Sequence, residues 1–265
     1  MITLFYMALC SSLARVVPVA APGRPIIGFC GQGCGFVLLM NCQEEYRDAI
    51  LGRVILNAAH RTGFDRAEIM PFIPDTARTL LDIGCAGGAF GRLLRSRRPE
   101  MELWGVEPDP VSARAADDAF DSVIVGEFPN ESIPSSKFDV ILCADVLEHM
   151  AEPERALRAA AGAMAAGGIM VASIPNVRNW RAVLWPLLRH GKWTYTDLGI
   201  LDRTHLRFFT SRSMREFYAA NHWSVESMTG INMHLREKLI STASFHSTDD
   251  FLFPQYVVVA RPNAA

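Results

Sequence analysis

The sequence predicts an α/β fold in which helices cover both faces of a parallel β-sheet. Several short segments are mostly apolar, such as residues 80–83 and 138–144, and segments with helical periodicity separate them. Strands that are apolar on both sides are buried on both faces, and their alternation with helices is typical of parallel sheets.

Strands and helices alternate along the chain from residue 43 onward. The predicted strands are 78–84, 103–107, 122–125, 138–144, 169–174, 223–228 and 255–261. The predicted helices are 43–62, 90–97, 111–119, one that begins near Pro153 and ends at Gly167-Gly168, and one that Ser213 and Glu216 open as a capping box. We therefore expect a Rossmann-like, seven-stranded sheet with helices on both faces and an antiparallel last strand pair.

The composition restricts the class of protein and its partners. The 265 residues are 50% hydrophobic and 20% charged, so the chain can bury a core and is unlike a disordered one. Lys and Arg total 26 and Asp and Glu total 28, which gives a formal charge of -2. The net charge of such a chain does not attract it to nucleic acid or anionic membranes, although a local patch of positive charge would be compatible with it. We expect no nucleic-acid partner.

The first 41 residues differ in composition from the rest of the chain. Their only charged side chains are Arg15 and Arg24. No apolar run approaches the ~20 residues of a membrane span, and no basic residue precedes the first run as in a signal peptide. We interpret 1–41 as an apolar extension, for example from a misplaced start codon before Met40, and 42–265 as the domain. We expect no stable membrane insertion.

Six cysteines lie at irregular spacing, at positions 10, 30, 34, 42, 85 and 143. A chain of this length does not depend on disulfides, so we interpret them as mostly free thiols. Free thiols favour a reducing compartment, and we expect a cytoplasmic protein.

Residues 175–210 form a long segment without clear periodicity, and such segments are often lids or binding loops. This one contains Trp180, Trp185, Trp193 and Tyr195. The tryptophans more often pack within such a lid, but a sugar would also stack on one of them.

A glycine-rich turn follows the first predicted strand. Gly84, Gly87 and Gly88 precede the helix at 90–97, where a ligand can approach the backbone at the carboxyl end of the sheet. A tight turn without a ligand would use the same residues. A second glycine run at 31–35 lacks the strand and helix on either side, so we do not interpret it as a ligand loop.

Two carboxylates beside this turn indicate which ligand fits. Asp82 precedes the turn and would repel a phosphate, but it suits an ammonium or sulfonium group. Glu107 ends the second predicted strand, at the usual distance for binding two ribose hydroxyls. A ribose with positive charge and no phosphate describes S-adenosylmethionine.

The segment 80–91 resembles motif I of class I S-adenosylmethionine-dependent methyltransferases, and 105–109 is similar to their second motif. The resemblance extends over about 45–261. It implies that Asp82, Gly84 and Gly87 hold the methionine moiety and that Glu107 holds the ribose. The other residues that it places at the cofactor are Cys85, Pro108, Gly126, Glu127, Phe128, Ala144, Asp145 and Val146. Aspartate is commoner than glutamate at the position of Glu127.

Segments farther along narrow the resemblance. Residues 145–149, 174–177 and 199–210 together resemble a bacterial methyltransferase group associated with glycosyltransferases in surface-polysaccharide synthesis. The resemblance implies a glycan or small-molecule hydroxyl as acceptor and an association with glycosyltransferases.

The same residues suggest a metal site. Asp145, Glu148 and His149 have the spacing of the Glu-x-x-Glu-His site in quinol O-methyltransferases and small-RNA 2′-O-methyltransferases, and His205 lies where the latter carry a further ligand. Asp145 is one methylene shorter than the usual residue. Together the four would bind Mg²⁺ or Mn²⁺ and lower the pKa of an acceptor hydroxyl. Alternatively, Glu148 and His149 cap the next helix and His205 forms a hydrogen bond within the lid.

Methyl transfer also needs a group that removes a proton. His205 is the first candidate for this base and His149 the second, because imidazole titrates near neutrality. Two other functions remain open: an NAD-dependent oxidoreductase, which Asp82 disfavours, and a catalytically silent module that binds a partner.

Overall fold

The computed structural model describes residues 65–263. Four sequence predictions lie outside these residues: the helix at 43–62, the apolar extension at 1–41, the interpretation of the glycine run at 31–35, and the free thiols at positions 10, 30, 34 and 42.

A seven-stranded sheet forms the centre of the described chain. Its strands are β1 (Thr79–Ile83), β2 (Glu102–Glu107), β3 (Ser122–Val125), β4 (Phe138–Ala144), β5 (Met164–Pro175), β6 (Trp223–Ile231) and β7 (Gln255–Pro262). Their order across the sheet is β3-β2-β1-β4-β5-β7-β6. The first five strands run parallel, whereas β7 is antiparallel to both β5 and β6. The predicted seven-stranded sheet with its antiparallel last pair is confirmed.

The helices connect these strands. They are α1 (Ala89–Arg97), α2 (Pro110–Ala116), α3 (Pro153–Ala163), α4 (Trp185–His190), α5 (Ser211–Ala220), α6 (Leu235–Ala243) and α7 (Asp249–Leu252). Shorter turns are two 3-10 helices, Ala67–Phe72 and Leu147–His149, and a π-helical turn, Trp180–Leu184. None of the helices in the described part of the chain has both the length and the apolar character needed to cross a bilayer.

Apolar clusters lie on both faces of the sheet, because neighbouring side chains of a strand point to opposite sides. Leu81 packs in one cluster with Leu157 of α3 and Tyr218 of α5. Leu80, its neighbour on β1, packs in the other cluster with Leu94 of α1. Helices therefore cover both faces, as the sequence predicts.

The strand order places a crevice at the carboxyl ends of the central strands. We call this end of the sheet its carboxyl edge. β1 has β2 on one side and β4 on the other, and open α/β sheets bind ligands where the strand order reverses in this way. The last residue of β1 aligns with Val106 of β2 and with Cys143 of β4. Gly84, Glu107 and Ala144 therefore lie at the same edge.

The helix that begins at Pro153 ends earlier than predicted. It stops at Ala163, and the residues up to Gly167-Gly168 already belong to β5. Gly167 has a φ of +76°, and a Cβ at Gly168 would lie 2.5 Å from Met164 Cγ. The pairing of β4 with β5 shifts register here. The two glycines therefore form an irregularity at the start of a strand and do not end the helix.

The capping box of α5 also differs from the prediction. Thr210 is the N-cap: its Oγ1 accepts from Ser213 N at 3.1 Å, and its own N donates to Ser213 Oγ at 2.9 Å. The predicted box of Ser213 and Glu216 is wrong, because Glu216 instead accepts from Arg212 Nε at 2.8 Å. The sequence analysis also missed α6 and α7, which lie between β6 and β7.

Candidate functional site

The turn after β1 has a shape that only glycine fits well. Gly84 has a φ of +76°, and its N–H donates to Val106 O at 2.8 Å. A Cβ at this position would lie 2.7 Å from Val146 Cγ2, beyond the end of β4. Gly88, with a φ of +79°, is the N-cap of α1. The turn thus packs closely between the ends of β2 and β4.

Glu107 connects this turn to the end of β2. Its Oε2 accepts from Ala86 N at 2.9 Å, and its Oε1 accepts from Asp109 N at 3.0 Å. Its carbonyl oxygen accepts from Gly126 N at 3.0 Å, which brings the residues after β3 to the same edge. The carboxylate predicted to bind ribose is therefore buried and held by the backbone.

Asp82 lies beneath the turn with only 4% of its surface exposed. Burial, reinforced by the negative charge of Glu107 and opposed by Arg66, raises the pKa of this carboxyl from 3.8 to about 8. Even though Arg66 lowers its pKa, this carboxyl is mostly protonated at neutral pH. A cationic ligand in the crevice would stabilise the ionised form.

Asp145 follows β4 and has a φ of +55°. Its carboxylate accepts from Ser173 Oγ at 2.8 Å and from Gln255 Nε2, and it forms an ion pair with Arg66. A cavity of about 260 Å³ lies beside Arg66 and is also lined by Asn232. The sequence analysis missed Arg66, because only the tertiary fold brings it to the ends of β1 and β4.

The other predicted cofactor residues surround the same edge. Cys85 is buried and free, as is Cys143, and burial raises the pKa of both thiols. Phe128 packs partly against the core, whereas Glu127 is exposed. The remaining positions, which the strand ends bring to this region, are Gly87, Pro108, Ala144 and Val146.

A second group of polar side chains follows β4. Glu148, His149 and His205 each place one ligand atom within 4.8 Å of those of the other two. His205 Nε2 lies 4.0 Å from Glu148 Oε1, and the centroids of the two imidazole rings are 4.6 Å apart. Glu148 is only 1% exposed. The donor set of this group suits a divalent cation.

Asp145, the fourth predicted ligand, is not part of this group. Its carboxylate contacts Arg66, Ser173 and Gln255, away from the group of three. Among the described residues, three of the four predicted ligands therefore lie together, and Asp145 does not join them.

Both histidines are oriented through Nδ1. His149 Nδ1 lies 3.2 Å from the carbonyl oxygen of Thr204 and 3.1 Å from its Oγ1, and that hydroxyl donates to Asp202 Oδ1 at 2.7 Å. His205 Nδ1 lies 3.0 Å from the carbonyl oxygen of Ile200. A carbonyl only accepts, so Nδ1 carries the proton in both rings and Nε2 carries the lone pair in the neutral form. Metal-binding histidines commonly have such partners.

These contacts test the structural alternative for the same residues. The hypothesis that Glu148 and His149 cap the next helix is wrong, because the N-cap of α3 is Glu152 and His149 binds Thr204. The predicted hydrogen bond of His205 within 175–210 is found at Ile200.

Aromatic rings continue from the histidine pair toward the surface. The ring centroid of Phe208 lies 6.3 Å from that of His205, 6.0 Å from Trp193 and 6.3 Å from Tyr195. Trp193, Tyr195 and Phe208 are all partly exposed. A flat acceptor beside His205 would therefore meet aromatic surface.

Comparison with known proteins assigns the family. Residues 48–227 match the family model described as a methyltransferase domain, and the chain belongs to this family. The chain is therefore a methyltransferase by family, and the family implies S-adenosylmethionine as the methyl donor. The alternative of an NAD-dependent oxidoreductase is therefore wrong.

Curated relatives are similar over part of their length. A ubiquinone biosynthesis O-methyltransferase of Azorhizobium caulinodans is 32% identical over 130 residues, which are 44% of this chain and 51% of the relative. A protein of the same name from Methylobacterium nodulans is 29% identical over 110 residues, 39% of this chain and 43% of the relative. The chain thus spans about half the length of the curated relatives it matches.

Solved structures share the fold. A methyltransferase of Thermotoga maritima has a TM-score of 0.55 at 16% identity and covers 83% of this chain and 95% of its own. A methyltransferase of Archaeoglobus fulgidus has a TM-score of 0.52 at 16% identity, with 83% and 99% covered. At this identity the likeness shows the fold alone.

Proposed function

We propose that the chain methylates an oxygen atom of its acceptor. The observation that carries this proposal is the cluster of Glu148, His149 and His205, whose ligand atoms lie within 4.8 Å of one another. A hydroxyl must lose a proton as it attacks, and the cluster offers both imidazole and carboxylate groups that assist this loss.

The charged side chains beside Gly84 suit the charges of S-adenosylmethionine. The cofactor carries a sulfonium, an ammonium, a carboxylate and a ribose, but no phosphate. Asp82 would hold the cationic end and Glu107 the ribose, since both carboxylates are buried at the crevice. Arg66 lies near enough to Asp82 to lower its pKa, and we propose that it receives the cofactor carboxylate. Asp145, which pairs with Arg66, orients that guanidinium.

The bound cofactor supplies a methyl group that its sulfonium already activates. The protein has to align the acceptor oxygen, exclude water and remove a proton. His205 is the first candidate for the base and His149 the second, because the bonds at Nδ1 leave Nε2 as the proton acceptor.

The same three side chains would alternatively hold Mg²⁺ or Mn²⁺. The cation would act as a Lewis acid that lowers the pKa of the acceptor hydroxyl. In that arrangement Glu148, His149 and His205 are ligands, and neither histidine acts as the base.

Removal of divalent cations separates the two arrangements. If the cluster holds a cation, EDTA lowers turnover and Mn²⁺ or Mg²⁺ restores it. Glu148→Gln then weakens Mn²⁺ binding in titration calorimetry, whereas Glu152→Gln, the same change at an exposed residue nearby, leaves it unchanged. Turnover that is insensitive to the chelator contradicts the metal and supports His205 as the base.

Two classes of acceptor have support. The ubiquinone biosynthesis O-methyltransferases among the relatives favour a phenolic hydroxyl of quinol type, and a flat ring would stack on Phe208 and Trp193. The resemblance of residues 145–149, 174–177 and 199–210 to the group associated with glycosyltransferases favours a sugar hydroxyl, and a sugar ring also stacks on aromatic side chains. Methylation assays with catechol-type phenols and with oligosaccharides distinguish the two. Association with glycosyltransferases and a cytoplasmic location remain predictions from the sequence.

A further inference from the structure

Two segments outside the candidate site expose large apolar side chains. In the first, which contains the π-helical turn and α4, Trp180 and Trp185 are exposed, and Leu188 is 81% exposed. The ring centroids of the two tryptophans lie 6.4 Å apart. None of these side chains belongs to the core. Together they form an exposed apolar patch, and such patches often mark interaction surfaces.

The second segment contains α6 and the residues that follow it. Leu235 and Leu239 are 75% and 67% exposed, and they lie one helical turn apart on the same face. Phe245, two residues beyond the end of the helix, is 91% exposed. A nine-residue helix thus presents an apolar face to the solvent.

The two segments adjoin each other in the fold. Asn179 Nδ2 donates to Leu252 O at 2.9 Å, and the guanidinium of Arg178 lies 4.1 Å from the ring centroid of Phe251. A cavity of about 350 Å³ lies between them, lined from one side by Arg181 and its neighbours and from the other by residues at the start of α6. We call residues 180–192 and 235–245 together the apolar-basic surface.

The exposed charged side chains of this surface are all positive. Its cationic side chains are Arg181, Arg189, Lys192, Arg236 and Lys238. Its one carboxylate is Glu237, which is buried and accepts from His234 N at 3.0 Å. Within the described residues, no carboxylate forms an ion pair with any of the five cations at 4.0 Å or less. The chain as a whole carries a formal charge of -2, so the positive charge is a local feature.

We propose that the apolar-basic surface docks the protein on an anionic lipid bilayer. Exposed Trp, Leu and Phe side chains next to Lys and Arg are the composition of segments that lie in the plane of a membrane interface. The apolar groups enter the boundary between headgroups and acyl chains, while the long basic side chains reach the anionic headgroups. The protein then lies on the membrane and does not cross it. This inference does not depend on which acceptor is methylated.

Vesicle binding tests the proposal on the full chain. The probes are vesicles of phosphatidylcholine alone and vesicles with about 30 mol% phosphatidylglycerol. We expect the protein to cosediment with the second kind and to lose that binding at high salt. The double variant Leu235→Ser, Leu239→Ser and the triple variant Arg181→Gln, Arg189→Gln, Lys192→Gln should each bind the anionic vesicles roughly 10- to 100-fold more weakly.

A matched control isolates the surface from the rest of the chain. The triple variant Arg97→Gln, Arg114→Gln, Arg158→Gln removes the same charge from exposed positions elsewhere and should bind as the unchanged protein does. All variants keep residues 1–41, so any affinity of that apolar segment for lipid is common to them. Unchanged binding in both surface variants overturns the proposal, as does equal binding to both kinds of vesicle.

Other occupants of the surface give different results. If a second copy of the chain covers it, sedimentation velocity shows a dimer that Leu235→Ser, Leu239→Ser converts to a monomer, and anionic vesicles capture neither form. That outcome also overturns the proposal.

Discussion

The cofactor crevice and the histidine cluster hold their side chains in different ways. In the crevice, Glu107 binds the backbone of residues only two and 21 positions away, and the register of β1 and β2 sets its place. In the cluster, His149 is held by Thr204, 55 positions along the chain. The first arrangement is fixed by short stretches at strand ends, whereas the second exists only when 176–209 packs against the residues after β4.

This difference in how the side chains are held predicts how each region responds to substitution. The segment 176–209 is tied to the sheet at both ends, since Asn176 N donates to Pro254 O and Val177 N to Phe209 O, each at 2.8 Å. Between these ends most of its side chains are exposed. We therefore expect changes in the crevice to affect cofactor binding and stability together, and changes in the segment to affect turnover or acceptor binding alone.

Replacing His205 should have the largest effect on activity. His205→Ala should lower turnover by roughly 10²–10⁴-fold, because a base or a ligand is lost, while affinity for S-adenosylmethionine is unchanged. Kinetics and calorimetry on the same preparation measure the two quantities. The control is His222→Asn, which changes an exposed histidine and keeps a residue that tolerates its positive φ. Loss of cofactor affinity in His205→Ala would contradict the expectation that changes in 176–209 leave cofactor binding unchanged.

Replacing Asp82 should have the next largest effect. Asp82→Asn should weaken cofactor binding by roughly 100-fold, because it removes the buried charge that faces the cationic end. Asp139→Asn is the matched control: Asp139 lies at the opposite end of the strands, where it accepts from Arg78 N at 2.8 Å. Cofactor binding that is equally weak in both variants would contradict the role of Asp82.

The same substitution should change the pH dependence of stability. Between pH 3.8 and about 8, folded Asp82 holds a proton that the unfolded chain releases, so the free energy of unfolding falls as the pH rises. Asp82→Asn removes this decline. Its Tm should equal that of the unchanged protein near the lower pH and exceed it above the higher one. A Tm difference that is constant with pH would show that the carboxyl is not perturbed.

A pair of glycine substitutions sharpens the contrast in rigidity. Gly84→Ala should destabilise the fold by about 1–3 kcal/mol, because of its positive φ and the contact with Val146. Gly162→Ala, where a Cβ meets nothing within 4 Å inside α3, should stabilise it by up to about 1 kcal/mol. Urea denaturation measures both. Equal effects would mean that the turn is no tighter than the helix.

The smallest effect is expected at the aromatic rings. Phe208→Ala should raise KM for a flat acceptor by roughly 5- to 10-fold with kcat nearly unchanged, because it removes a stacking surface. Leu198→Ala, at an exposed apolar residue of the same segment, should leave KM unchanged. A fall in kcat without a change in KM would instead assign Phe208 to the support of His205.

The sequence predicted the parallel part of the sheet and the glycine turn after β1 well. The apolar runs that end at Gly84 and Glu107 are local patterns. They can be recognised from neighbouring residues in the chain without knowledge of the fold. The sequence predicted the end of α3 wrongly, because a glycine pair ends a helix as readily as it bends a strand. No local pattern marked α6, whose apolar side chains are exposed.

The tertiary contacts of the site were beyond the sequence. Asp145 has the right spacing for a metal ligand, but Gln255 and Arg66, 110 and 79 positions away, hold its carboxylate elsewhere. Spacing along the chain records which residues are close in sequence, and it does not record which partner a flexible carboxylate finds in the fold.

The place of β7 has a consequence for synthesis on the ribosome. This strand is inserted between β5 and β6, although it follows both in the chain. A nascent chain that has not yet emerged past residue 262 leaves β5 with an unpaired edge and Asp145 without Gln255. Since unpaired edges associate with other chains, chaperones that shield exposed strands would be needed most during this interval of translation.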